Sequence, residues 1–194
     1  MPALTISIDD APQATVSTDD YDVVSVRISG SRINENLADL DVTGGTHPED
    51  GESTYLIWVD SLAIQTGQVI TVSYLEQAIT SYPGKTIDER FPDEERPEVT
   101  EFRPTPDMFT ELRVRPTTRE GFSFRLQSSS GTTFDGKTTD HGFAFTVLYD
   151  SFHPEQARLS LHSYTLENLE QRGPMSYHVK ENIQVGDTVS FEVA

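Results

Sequence analysis

The chain writes one phrase twice. "IQTGQVITV" begins at Ile64 and "IQVGDTVSF" at Ile183, 119 residues later. Sliding the sequence over itself by 119 residues extends the match upstream. Val24, Val26 and Ile28 fall on Phe143, Phe145 and Val147, Leu40 and Val42 fall on Leu159 and Leu161, and Trp58 falls on Tyr177. Near the start, an offset of 118 sets Leu4, Ile6 and Ile8 on Phe122, Phe124 and Leu126, and Val16 on Phe134. A repeat of this length means that one structural plan is used twice. Whatever residues 1–78 build, residues 119–194 build again.

The plan is β. "LTISI" and "FSFRL" alternate apolar and polar residues with period two, as do "VVSVRIS" and "FAFTVLY". "LDV" and "LSLHSY" supply a third strand, "YLIWVDSLAI" and "MSYHVKENI" a fourth, and "VITVSY" and "TVSFEV" the last. The expectation is an all-β chain of two tandem, related antiparallel sandwich or barrel domains, 1–78 and 119–194. Tyr55, Trp58, Val59 and Leu62 also fit helical spacing, so a short helix near 53–60 is the alternative there. Residues 79–118 read as a Pro-rich acidic linker, because six of the eleven prolines fall in it and proline resists interior strand positions. Within it, "FTELRVRP" alternates and reads as an extra strand. Long loops are expected at 31–39 and 44–53, and loops on a β scaffold are where binding surfaces usually lie.

A formal net charge of −18 decides which partners suit the chain. It repels nucleic acid and anionic membrane and attracts basic proteins. An ordinary acidic surface, set by the host environment, would look the same. With no cysteine, thiolate metal sites, disulfides and cysteine nucleophiles drop out. The first residues carry no basic and apolar leader pattern, and no apolar run has a membrane-spanning length, so a soluble cytoplasmic protein is expected.

Positive chemical signals are few. Asp9, Asp10, Asp19, Asp20 and Asp22 could offer carboxylates to calcium, but no complete calcium-loop spacing is present, and solvated turn acids explain them better. The five histidines form no metal-ligand pair in sequence, although His162 and His178 would lie on neighbouring strands. "SSSG" at Ser128 lacks the nucleophile-elbow pattern, and neither "GGTHPEDG" nor "YPGKT" completes a phosphate loop. The basic cluster Arg113, Arg115, Arg119 and Arg125 lacks the aromatic interleaving of a nucleic-acid surface. No enzyme, cofactor or metal is expected.

"VVSVRIS…LDVTGG…STYLIWVDSLAIQTGQVITVSYLE" resembles a loosely defined set of small bacterial cytoplasmic β proteins, over residues 1–76. In them a Leu-x-Val-x-Gly-Gly stretch precedes a Trp segment and a Gly-Asp turn into the last strand. Here Gln68 stands in place of that Asp, whereas the second copy has Asp187. Some members look like immunity or accessory proteins of toxin systems. The resemblance implies a non-enzymatic protein that neutralises a toxin by occlusion, and it carries no catalytic residue across. An acidic decoy or adaptor of a nucleic-acid enzyme, and a carbohydrate- or calcium-binding module, are the alternatives. For a basic protein partner such as a toxin or effector, the contact residues expected are His47, Glu49, Asp50 and Glu52 in the first copy's loop. Asp88, Glu89, Asp93, Glu94 and Glu95 are expected from the linker.

Overall fold

The computed structural model describes residues 2–93 and 104–194. Among the described residues, twelve strands form two six-stranded antiparallel sheets packed face to face. The first copy supplies β1 (Ala3–Ile8), β2 (Ala11–Ser17), β3 (Val23–Ser31), β4 (Ala38–Gly45), β5 (Leu56–Ile64) and β6 (Val69–Leu75). The second supplies β7 (Phe122–Ser128), β8 (Thr133–Thr138), β9 (Gly142–Asp150), β10 (Gln156–Tyr164), β11 (Ser176–Gln184) and β12 (Thr188–Val193). One sheet runs β2-β1-β6-β12-β7-β8 and the other β11-β10-β9-β3-β4-β5. Each copy therefore gives three strands to each sheet, and the copies join where β6 meets β12 and β9 meets β3.

One core results. Inward positions of both sheets and both copies, among them Ile6, Val26, Val72, Phe145, Leu159 and Phe191, are buried in a single cluster. Phe145 and Phe191 stack across the layers with ring centres 4.5 Å apart. The strands alternate inward apolar with outward polar residues, the pattern of a sheet wet on one face.

The repeated phrase is the arch that carries the chain from one sheet to the other. Gly67 and Gly186 have φ of +88° and +98°, a conformation that glycine adopts without a Cβ penalty. The Gln65 backbone N–H donates to Gln68 Oε1, and the Gln184 N–H donates to Asp187 Oδ2, both at 2.8 Å. Gln68 thus replaces the second copy's Asp187 without changing the turn.

Strand pairing refines the repeat. β3 and β4 match β9 and β10 at the offset of 119, but Leu4 and Ile6 sit opposite Tyr74 and Val72 as Phe124 and Leu126 sit opposite Val193 and Phe191. The first hairpin thus repeats at 120 in place of the expected 118, and Val16 corresponds to Gly136, not to Phe134. A shift of two keeps every side chain on its face, so alternation alone does not distinguish the two registers. The copies also have six strands each, because β2 and β8 carry too little apolar alternation to announce themselves.

Residues 56–64 form strand β5, with no helix near 53–60. "FTELRVRP", expected as a strand, instead lies mostly in a helix, α2 (Pro106–Val114). Thr105 caps it through a hydrogen bond from the Met108 N–H, and Pro106 takes the first turn, where its missing donor is harmless. Two shorter helices are α1 (Ile87–Arg90) and α3 (Leu166–Glu170).

Candidate functional site

The start of the linker is built into the first copy. Ser81 exchanges backbone and side-chain hydrogen bonds with Thr15 of edge strand β2, and Thr80 Oγ1 accepts from the Ser17 N–H. The Tyr82 hydroxyl bonds the Trp58 carbonyl at 2.8 Å. Lys85 then pairs with Ile57 of edge strand β5 by two backbone hydrogen bonds of 2.8 and 2.9 Å. The segment covers both outer edges of the first copy, which sheets otherwise leave open to pairing.

This path brings the two sequence-predicted segments together. The loop after β4 and helix α1 face each other over a groove of about 500 Å³. Asp20 and Asp88 supply carboxylates, Tyr21 and Tyr55 supply rings, and Thr46, Thr54 and Thr86 supply hydroxyls. Among the described residues, none that lines it is basic. Burial foremost, and then the Asp20 charge, hold the Tyr21 hydroxyl above the ordinary tyrosine pKa. Of the predicted contact residues, Asp88 lines the groove; His47, Glu49, Asp50, Glu52 and Asp93 are exposed beside or beyond it. Glu89 closes a capping box with Thr86, which holds its carboxyl below the ordinary value. Glu94 and Glu95 lie outside the described residues.

The loop is anchored by Asp22, which the sequence suggested only as a solvated turn acid. Asp22 Oδ2 accepts from the His47 backbone N–H at 2.6 Å, and Asp22 Oδ1 accepts from Ser151 Oγ of the second copy at 3.1 Å. These bonds, the backbone one foremost, hold the Asp22 carboxyl below its usual pKa. Asp20 and Asp22 straddle Tyr21, so one short turn both lines the groove and fastens its wall.

Beneath the groove, equivalent positions of the two copies have diverged in kind. In the first, Tyr21 packs edge-on against Trp58 at 5.1 Å, beside Gly44. A Cβ on Gly44 would lie 2.6 Å from the Val23 carbonyl oxygen and 3.1 Å from the Trp58 ring. Strand pairing makes Asp140, Ser163 and His178 the counterparts of Tyr21, Gly44 and Trp58. Trp58 thus corresponds to the bulge residue His178, not to Tyr177.

In the second copy, Ser163 Oγ lies 2.5 Å from Asp140 Oδ2 and 2.9 Å from His178 Nε2. A serine against an imidazole nitrogen evokes an activated nucleophile, but that chemistry needs a carboxylate behind the imidazole and an accessible serine. Here Asp140 holds the serine, and Ser163 is wholly buried. The arrangement is a buried polar clamp. His162 and His178 do lie on adjacent strands, yet no group of three His, Asp or Glu side chains suited to a metal occurs among the described residues.

The expected basic cluster is dispersed. Arg113 pairs with Glu170, and Arg125 with Glu192 and Asp135. Arg119 donates to backbone carbonyls of Ser31, Asn34, Glu35, Asn36 and Leu37, tying down the loop after β3. No described helix is long and apolar enough to cross a membrane.

Comparison with protein-family models, curated proteins and solved structures gives no match. The functional reading therefore rests on the residues themselves.

Proposed function

We propose that this chain is a non-enzymatic binding protein that occludes a basic protein partner, acting as an immunity protein against a toxin. The supporting observation is the groove shared by the loop after β4 and helix α1, where the carboxylates of Asp20 and Asp88 meet the rings of Tyr21 and Tyr55. A lysine or arginine entering it would lay its aliphatic stem along Tyr21 and Tyr55 and bring its head to Asp20 and Asp88. The net charge of −18 would speed encounter with such a partner, and the rigid sheet edge beneath would keep the wall in place.

Co-expression with a toxin-domain protein encoded beside this chain tests the reading. The native protein restores growth, and the D20K/D88K double variant, shown folded by circular dichroism, does not. Growth that stays arrested with the native protein, or is restored equally by the variant, overturns it. Recovery of a polymerase or nuclease subunit as the bound partner would favour the decoy alternative.

A further inference from the structure

The two ends of the molecule are finished differently. At the first copy's end, β2 and β5 are both covered by residues 80–85. At the second copy's end, β11 is the last strand of its sheet, and among the described residues only β10 pairs with it. Ile57, the residue of β5 that takes Lys85, pairs with Thr43; Tyr177 pairs in the same way with His162. Tyr177 thus occupies in β11 the position at which the first copy receives an extended segment.

Behind this edge, on the outer face of the sheet, a groove of about 500 Å³ runs over β9, β10 and β11. Leu148 and the half-exposed Tyr177 give it apolar footing. Two bases, Arg158 and Lys180, outnumber the one carboxylate in its lining, Glu181, which accepts a hydrogen bond from Thr132, so its net charge is opposite to that of the molecule. Lys180 lies over the Tyr177 ring at 5.1 Å and has no carboxylate partner among the described residues, and Arg158 shares only Asp150, at 3.4 Å. Arg27 stands nearby on the same outer face, next to Thr146 in the strand register, and also lacks an ion pair among the described residues. The first copy's counterparts of Arg158 and Ser160 are Asp39 and Asp41, so the first copy has no equivalent of this Arg158 side of the groove.

We propose that the open edge of β11, with this basic groove beside it, docks an extended acidic segment of a partner protein as an added strand. Backbone pairing along β11 supplies affinity, and Lys180 and Arg158 select carboxylates on alternate residues of the incoming strand. Charge argues against a second copy as occupant: antiparallel pairing of two β11 edges would bring two Lys180 side chains together on chains that each carry −18.

The test uses the full chain and a labelled peptide of about ten residues alternating glutamate and valine, followed by fluorescence anisotropy. Three controls are a peptide with lysine for glutamate, one N-methylated on alternate residues, and the K180E/R158E variant. Binding of the acidic peptide, weakened at least about tenfold by each of the three changes, is expected. Absence of acidic-peptide binding, equal binding of the lysine peptide, or indifference to N-methylation overturns the proposal. Concentration-dependent dimerisation in sedimentation, abolished by the edge-blocking Y177P substitution, would assign the edge to a second copy and overturn it as well.

Discussion

Thr71 lies directly opposite Ser190 where β6 pairs with β12, and the two are separated by the same 119 residues as the repeated phrase. In the other sheet Arg27 lies opposite Thr146, again equivalent residues of the two copies. When antiparallel strands of equal sequence pair about a two-fold axis, the residue on the axis meets its own counterpart. Both sheets therefore share one pseudo-two-fold, and the copies meet as an isologous dimer would, covalently joined.

That geometry predicts how half of the chain behaves. Residues 1–78 alone would expose β3 and β6, strands that have neighbours on both sides in the full molecule. The isolated fragment is expected to pair with itself about the same axis, or to aggregate. Arg27 would then face a second Arg27, a like-charge contact that weakens the dimer. Sedimentation velocity reads the outcome; a stable, folded monomer would contradict the shared-sheet account.

Gly44 is expected to tolerate little. Its substitution by Ala would set a Cβ against the Val23 carbonyl and the Trp58 ring, disturbing the Tyr21–Trp58 pair. An overpacking penalty of about 1–3 kcal/mol is expected from denaturant unfolding. The counterpart Ser163, already larger, should accept Ala with a loss nearer the ~1 kcal/mol of its hydrogen bonds.

These contrasts show what could be read from residues alone. Alternation at Val24, Val26 and Ile28 and again at Phe143, Phe145 and Val147 announced the strands, because a half-buried sheet demands period two. The pairing of β6 with β12 was not legible, since either arrangement, two separate sandwiches or two shared sheets, buries the same faces. Asp88 was legible as charge in a loop, but not its meeting with Tyr21 and Tyr55, which depends on where Lys85 pairs with Ile57. His178 was aligned away from Trp58 because β5 carries a bulge between Leu62 and Val59 that β11 lacks between Glu181 and Val179, and bulges leave little trace in composition.

Acid should weaken the fold before the carboxylates titrate. Burial foremost, with Arg32 beside one and Arg27 and His178 beside the other, holds His141 and His162 below the ordinary histidine value. The unfolded chain then binds more protons than the native one between the lowered folded values and about 6.5. Stability present above about pH 6.5 is accordingly lost as pH falls through the folded values. Urea midpoints measured from pH 7.5 to 5 should decline, and the H141Q/H162Q double variant should flatten that slope.

Asp22 gives a local report at lower pH. Its folded pKa is depressed below 3.8, so the anchoring carboxylate persists above that value and is lost as pH falls through the folded one. The His47 amide, which donates to it, should move upfield in proton NMR with a midpoint below that of an ordinary aspartate. D22N should abolish the transition and leave the β4–β5 loop amides exchanging faster. An unchanged His47 titration in D22N would mean that another carboxylate holds the loop.

Association with a basic partner should depend on the groove more than on total charge. Asp20 and Asp88 line it beside Tyr21 and Tyr55, whereas Glu49, Asp50 and Glu52 are exposed loop residues outside its lining. Removing two charges by D20N/D88N and three by E49Q/D50N/E52Q separates the effects. The triple variant loses more charge and should chiefly slow association and reduce its salt dependence, since distant exposed charges act through the screened field. The double variant should chiefly speed dissociation, by about tenfold or more, because the partner's cation then enters a groove without its counter-charges. Stopped-flow association and dilution-induced dissociation at two salt concentrations distinguish them, and an unchanged dissociation rate in D20N/D88N would place the contact elsewhere.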